Sequence, residues 1–397
     1  MDRRSILFLD HDKKVLDGLQ RVMRPMRRVW DIYFVSSEDE AREVLEAKPV
    51  DVVLADLTHQ EGNGLEFLAG VRRRHPDVVR IVFTSHVNQM EAQKALGSSH
   101  QIILKPIDAE DLKNRIMRIL TLRDLMGDED LKKLVGQMRS IPSLPYFYRE
   151  IVAELKKPEA SLKAVGDIIG QDIAMSAKIL QLVNSPFFGF SKHVASPVQA
   201  VTLLGLDTVR DLTLTLHLFR CFEDKKMKAL SYPRLWEHSM QTASLAKRIT
   251  ELETDDVDMA DQAFIAGLLH DVGKLILAVD FPELYAGFIH KAEEKDLAVP
   301  DLERQTFRST HAELGAYLLS LWGLPHCIVE AVAFHHRPAA ANPMVFSPLV
   351  AVHVANWMRN RNESHFVGTV MPLDMQLLKQ LKLHRHLRRW QAMEASS

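Results

Sequence analysis

Five short apolar runs punctuate the first 120 residues of this 397-residue chain: SILFL (5–9), IYFV (32–35), DVVLA (51–55), VRIVF (79–83) and QIIL (101–104). Each is too short for a helix, rich in Val, Ile and Phe, and free of apolar–polar alternation. That is the pattern of strands buried on both faces. Between them lie segments of helical period, VLDGLQRVM (15–23), EDEAREVLEA (38–47), GLEFLAGVRRR (64–74) and QMEAQKALG (89–97), and DAEDLKNRIMRILTLRDLM (108–126) follows the last. The alternation predicts an α/β doubly wound five-stranded parallel sheet.

In such a sheet the functional crevice lies at the carboxyl ends of the strands, where the winding direction switches. Those ends carry Asp10 and Asp12, then Asp56, then Thr84, then Lys105 and Pro106. Carboxylates converging on one rim suit a hard divalent cation such as Mg²⁺. Asp56 can then attack a phosphoryl group, with the cation and Lys105 offsetting charge on the phosphoryl oxygens.

On ILFLDHD (6–12), DVVLADLTHQEGNGLEFL (51–68), Thr84 and LKP (104–106), residues 4–122 resemble the receiver domain of bacterial two-component response regulators. The resemblance implies that Asp56 accepts phosphate from a sensor histidine kinase. It further implies that Asp10, His11, Asp12, Thr84 and Lys105 form the surrounding pocket, and that a cis peptide precedes Pro106. Three positions depart from the family. His11 stands where a second metal-binding acid is usual, His59-Gln60 replaces Met-Pro, and Ile102 replaces the switch aromatic. Those departures leave open a receiver kept as a docking or dimerisation module.

GDED (127–130) is a polar, glycine-containing break, and beyond it the strand signal stops. Helical segments follow from LKKLVGQMRSIPSLP (131–145) to the stretch near 347–360, so the second half is expected to be all-α. The boundaries read as 4–122 for the sheet domain, 123–131 for a helical linker, 132–340 for the helical domain and 341–397 for a helical extension.

FIAGLLHDVGKLIL (264–277) sets a His-Asp pair into an apolar stretch. His238, His311 and His335-His336 stand on other predicted helices, which a bundle interior can bring together. Imidazoles with one carboxylate suit a transition metal such as Fe, Mn or Zn. Meanwhile IPSLP (141–145), IIGQD (168–172), KILQLVNSPFFG (178–189) and SPVQAVTLLGLDTVRDL (196–212) resemble the HDOD domain, a helical signalling domain related to the HD phosphohydrolases.

By that relationship His238, His270 and Asp271 match the first three metal-ligand positions of the HD superfamily. His311, His335 and His336 match the further histidines of its two-metal HD-GYP branch. The final carboxylate should fall in LVAVHVANWM (349–358), where the chain offers His353 or, in another register, Asn356. The Gly-Tyr-Pro segment after His336 is missing too. A site without its last acid polarises a nucleophilic water less well. The expectation is therefore a response regulator whose helical output works by binding. The alternatives are a receiver-gated phosphohydrolase acting on a cyclic nucleotide and, for the histidines, an inherited hydrogen-bonded core. Lys274 reads as a solvent-reaching side chain.

A net charge of −2 exerts no long-range pull on nucleic acid or anionic membrane, and no basic recognition helix stands out. The basic run LKLHRHLRRW (381–390) reads as a solvated helix end. Cys221 and Cys327 read as reduced core thiols, and no apolar stretch approaches a membrane span. The expected setting is the cytoplasm. The expected partners are a sensor histidine kinase, other signalling proteins and a second copy of the chain.

Overall fold

The computed structural model describes residues 3–56, 64–85, 98–138, 142–143, 150–151, 153–157, 159–184, 193–210, 220–221, 231–295, 297–362 and 371–395. The expected helix at 89–97 and the His59-Gln60 pair lie outside those residues. The chain divides into two compact units, the first built mainly from residues 1–139.

In the first unit β1 (Arg4–Leu9), β2 (Trp30–Val35), β3 (Val52–Ala55), β4 (Val79–Thr84) and β5 (Gln101–Leu104) form one parallel sheet in the order β2-β1-β3-β4-β5. The connecting helices are α1 (Lys13–Val22), α2 (Glu38–Ala47) and α3 (Gly64–Arg74), and α4 (Ala109–Leu125) follows β5. Leu7, Leu9, Val53, Ala55, Val82 and Ile102 point to one face, where they share a core with Ala41 and Leu45 of α2 and Phe67, Leu68 and Val71 of α3. The alternate set Ile6, Phe8, Leu54, Ile81, Phe83 and Ile103 is also buried and points to the other face by the two-residue strand period. That double burial is why the runs carry no alternation. Ile102, at the switch-aromatic position, is simply a core residue.

A linker helix, α5 (Glu129–Gln137), is fastened to the sheet by a buried polar knot. Arg80 of β4 donates to the backbone carbonyls of Val78 (2.8 Å), Ser98 (2.9 Å) and Gly136 (2.6 Å). His100 accepts the Arg80 backbone N–H on Nδ1 (3.0 Å), so its proton sits on Nε2 and is given to the Gly136 carbonyl (3.0 Å). A Cβ on Gly136 would lie 2.2 Å from the Pro76 carbonyl oxygen, so only glycine lets α5 come this close.

The second unit runs through α6 (Leu162–Gly170), α7 (Ile173–Val183), α8 (Pro197–Leu204), α9 (Leu206–Arg210), α10 (Tyr232–Glu253), α11 (Val257–Leu269), α12 (Val272–Asp280) and α13 (Pro282–Lys295). It continues through α14 (Val299–Phe307), α15 (His311–Leu321), α16 (His326–Phe334), α17 (Pro348–Asn362), α18 (Met375–Gln380) and α19 (Leu387–Ala395). Helices α10, α11, α16 and α17 pack on one another at its centre. Among the described residues its only strands are a two-residue parallel pair, Pro142–Ser143 with Arg220–Cys221, a small departure from the all-α expectation.

Three further expectations are corrected. The 24-residue run Val257–Asp280 does have the length and composition of a membrane span, but 78% of its apolar window is buried inside the protein. It is the core pair α11–α12. The basic C-terminal run is not simply solvated. Trp390 is fully buried and donates Nε1–H to Glu253 (2.9 Å), which also pairs with His386 (2.8 Å). Cys327 is only partly buried, and its thiol contacts Gln262 (3.1 Å).

Burial, reinforced by the Arg80 charge, holds the His100 imidazole well below its ordinary value near 6.5. The unfolded chain therefore takes up a proton near that pH which the folded chain refuses. The stability that His100 contributes is complete above about pH 6.5 and falls away as the pH drops toward the depressed folded value. Urea unfolding of the wild type is expected to lose up to about 1.4 kcal/mol per pH unit below that point relative to His100→Gln. Gly136→Ala is expected to destabilise the same unit by about 1–3 kcal/mol through overpacking, read from its urea midpoint.

Candidate functional site

The sheet order reverses between β1 and β3, so their carboxyl ends flank the switch point. The parallel ladder continues one residue past each strand. Asp10 N–H donates to Val35 (3.1 Å), Asp56 N–H to Leu9 (3.0 Å) and Lys105 N–H to Thr84 (2.8 Å), fixing three side chains at one rim. There the Lys105 ammonium bridges two buried carboxylates, contacting Asp10 and, at 2.8 Å, Asp56. The same ammonium stands 5.0 Å from the Phe83 ring centre. The Lys105–Pro106 bond is cis.

These groups open into a crevice of about 620 Å³ whose lining includes Asp10, Asp12, Asp56, Phe83, Ser85 and Lys105. Two strand-end carboxylates in an open crevice fit a hard divalent cation. Asp12 also caps α1, accepting the Lys14 N–H (2.8 Å), while its own N–H goes to Asp10 (2.9 Å). His11 is half-buried and is not part of the lining. Thr84 is fully buried, and the exposed hydroxyl at its strand end belongs to Ser85, which the sequence reading missed.

The second site gathers side chains from five places in the helical unit. His238 comes from α10, His270 and Asp271 from the α11–α12 junction, His311 from the start of α15, His335 and His336 from the end of α16, and Asn356 from α17. The Asp271 carboxylate is the hub. Its Oδ1 faces His311 Nε2 (3.2 Å) and His335 Nε2 (3.7 Å), and its Oδ2 faces His270 Nε2 (3.3 Å) and His238 Nε2 (3.9 Å). His336 Nε2 lies 3.1 Å from His311 Nε2. Lys274 folds onto Asp271 Oδ2 (2.6 Å) instead of reaching solvent, because it stands one helical turn after the carboxylate.

The register of α17 is resolved as well. Asn356 Oδ1 lies 3.1 Å from His238 Nε2 and accepts from Asn360 (2.9 Å), so Asn356 faces the cluster. His353 is turned elsewhere, giving Nδ1–H to the His335 carbonyl (2.7 Å) and accepting the Asp374 N–H on Nε2 (3.0 Å).

Ring orientations are set from behind. His270 Nδ1–H donates to Gly267 (2.7 Å) and His335 Nδ1–H to Val332 (2.8 Å), which turns each Nε2 lone pair inward. His311 is held by Glu303, whose Oε2 accepts both its backbone N–H (2.9 Å) and its Nδ1–H (2.7 Å). Glu303 was overlooked, although a signal existed. Val299, Leu302 and Phe307 define the buried stripe of α14, and Glu303 is an acid on that stripe.

Burial pushes the Asp271 carboxyl up, but the charges of His270 and Lys274 outweigh it and hold the group well below the usual range. Burial lowers His335 and His336 well below the ordinary histidine value, and neighbouring histidines add to the effect. Burial would lower His311 too, yet Glu303 and Asp271 together raise it. His335 Nε2, Glu303 Oε1 and Tyr285 Oη are buried without a hydrogen-bond partner. A buried imidazole nitrogen left unpaired among other nitrogens and a carboxylate fits a metal-ion centre.

A doubly wound sheet with a lysine spanning two acids at its switch point belongs to the receiver class. Family models agree, matching the response regulator receiver domain over residues 6–117 and the HDOD domain over residues 141–338. The chain belongs to the response regulators that join a receiver domain to an HDOD domain.

Among curated relatives, an uncharacterised protein of Treponema pallidum is 28% identical over 59% of this chain and 46% of its own length. The response regulator protein PilR of Pseudomonas aeruginosa is 23% identical over 58% of each chain. This chain thus spans about half the length of these relatives. Among solved structures, the MmoQ response regulator of Methylococcus capsulatus is 25% identical, with a TM-score of 0.49 over 64% of this chain and 98% of its own. An HDOD domain protein of Geobacter sulfurreducens is 23% identical, with a TM-score of 0.37 over 71% and 89%.

The cluster depends on α12 and α15 touching backbone to backbone. A Cβ on Gly273, in the HDVGK stretch, would lie 1.9 Å from the His311 carbonyl oxygen. Gly273→Ala is expected to lower the stability of the helical unit by about 1–3 kcal/mol or more. Gly287→Ala, in open space on α13, is expected to raise it by about 0.5–1 kcal/mol. Paired denaturant melts of the two variants check both directions.

Proposed function

We propose that this response regulator is switched by phosphorylation of Asp56 and that its helical domain acts by binding. The observation that carries the reading is the Lys105 bridge between Asp10 and Asp56 in an open crevice at the switch point. An Asp56 oxygen attacks the phosphorus of a phosphohistidine on a sensor kinase. An O–P bond forms, the N–P bond breaks, and the imidazole leaves with its electron pair. Asp10 and Asp56 would hold Mg²⁺, which would supply positive charge toward the phosphoryl oxygens. Lys105 then exchanges its contact with Asp56 for one with the phosphoryl group. Ser85 or Thr84, at the same strand end, supplies the hydroxyl that follows it.

The non-enzymatic character of the output rests on Asn356. A neutral amide occupies the place where a hydrolytic centre of this kind carries an acid. His238, His270, Asp271, His311, His335 and His336 would hold one of the transition metals Fe, Mn or Zn as part of a binding unit. Its partners are other signalling proteins or a second copy of the chain, in the cytoplasm. The competing reading is a receiver-gated phosphohydrolase, and the preassembled cluster around Asp271 speaks for it.

Incubation with acetyl phosphate and Mg²⁺ is expected to label the wild type with one acid-stable, hydroxylamine-sensitive phosphoryl group, and Asp56→Asn is expected to remain unlabelled. Labelling that persists in the variant would remove Asp56 from this role. Turnover of cyclic nucleotides by metal-loaded protein would transfer the output to the hydrolytic reading.

A further inference from the structure

Helices α2 and α3 cover one face of the receiver sheet and share its core through Ala41, Leu45, Phe67 and Val71. Each follows one strand of the parallel sheet and leads to the next, so the two run in the same direction and end at the same edge. Between them lies a groove of about 390 Å³, with the buried Leu45, Phe67 and Val71 along its floor.

Opposite charges wall this groove. Helix α2 carries five acids against one arginine, and α3 carries three arginines against one acid. Arg42, the arginine of α2, is already engaged. It pairs with Glu38 (2.9 Å) and Asp39 (3.0 Å) and lies over the Phe67 ring (6.0 Å). Glu43 and Glu46 of α2 and Arg73 and Arg74 of α3 are exposed, and among the described residues none of these four makes an ion pair.

Gly70 adds a second observation. It lies inside α3 and lines the groove, where glycine costs helix stability relative to alanine. A Cβ there would meet nothing within 4 Å, so no close approach among the described residues calls for it, in contrast to Gly136 and Gly273. Bare helix backbone beside an apolar floor leaves room for a neighbouring helix.

A second copy of the chain meets both features. In a two-fold dimer one patch faces itself, and every contact is made twice. With the axis along the groove, α2 of one copy lies over α3 of the other and parallel to it. Glu46 of each copy then stands at the end where the other copy presents Arg73 and Arg74. We propose that the α2–α3 groove is a self-complementary interface through which two receivers pair, the acids of α2 on one copy meeting the arginines of α3 on the other. This pairing depends neither on phosphorylation of Asp56 nor on a metal in the helical domain.

Sedimentation velocity of the full chain over a concentration series tests it. A monomer–dimer equilibrium is expected, weakened by added salt because the facing charges are exposed. Arg73→Glu with Arg74→Glu should raise the dimer dissociation constant by about 10-fold or more, and so should Glu43→Lys with Glu46→Lys, since each pair of changes sets like charges together twice. An equimolar mixture of the two variant chains should recover the dimer, because each reversed row then faces its opposite, and recovery shows that both variants fold. Gly70→Leu should abolish pairing by filling the groove while the circular dichroism stays that of the wild type. A wild type that remains monomeric throughout would overturn the interface. So would a dimer that survives either double variant or Gly70→Leu, or a mixture of folded variants that fails to pair.

Discussion

A carboxylate taken out of water must be met by positive charge or hydrogen-bond donors, and both sites of this chain are organised around that requirement. In the receiver, Asp10 and Asp56 are buried at adjacent strand ends and share the Lys105 ammonium. In the helical domain, Asp271 is buried at a helix junction and meets Lys274 and four imidazoles. The two differ in access. The receiver acids line an open crevice, where the lysine can exchange one anion for another. Asp271 is enclosed, and His270, His311 and His335 beside it are oriented by acceptors that fix their protons.

Backbone proximity is the second constraint, and it falls on two glycines. Gly136 lets the linker helix lie against Pro76, so that Arg80 and His100 share its carbonyl as an acceptor. The chain thus leaves the receiver at the amino ends of β4 and β5, the end of the strands away from the crevice. Gly273 lets the start of α15 lie against α12, which brings His311 to Asp271 although forty residues separate them in sequence. Neither role is visible in composition, because a glycine that permits close approach looks the same in sequence as one that merely loosens a helix.

What the sequence made legible follows the same division. Strands β1, β3, β4 and β5 were readable because burial on both faces writes an unbroken apolar run, the half-buried edge strand β2 carries a short apolar run of its own, and the acids and lysine stood at the strand ends. The ligand set His238, His270, Asp271, His311, His335 and His336 was legible only as a family pattern, since spacing in sequence says nothing about convergence across helices. Glu303 escaped because a lone acid in a helix reads as solvated unless its stripe is traced. His353 and Asn356 are three residues apart on one helix, near enough to one turn that pattern alone left the register undecided. Lys274 and Trp390 were read by type, as solvent-seeking and tail-like, when the nearest buried carboxylates, Asp271 and Glu253, had claimed them.

The replacement of an acid by Asn356 changes more than one ligand. Amide and carboxylate are nearly isosteric, so the packing of α17 against α10 can survive the exchange while the electrostatics do not. A carboxylate there would bring a negative charge beside His238 and favour a cation in that half of the cluster. The amide offers only a neutral acceptor, and Asn360 already shares it. Lys274 donates to Asp271 Oδ2, the carboxylate oxygen that faces His238 and His270. An amide at position 356 carries no negative charge with which to polarise a nucleophilic water.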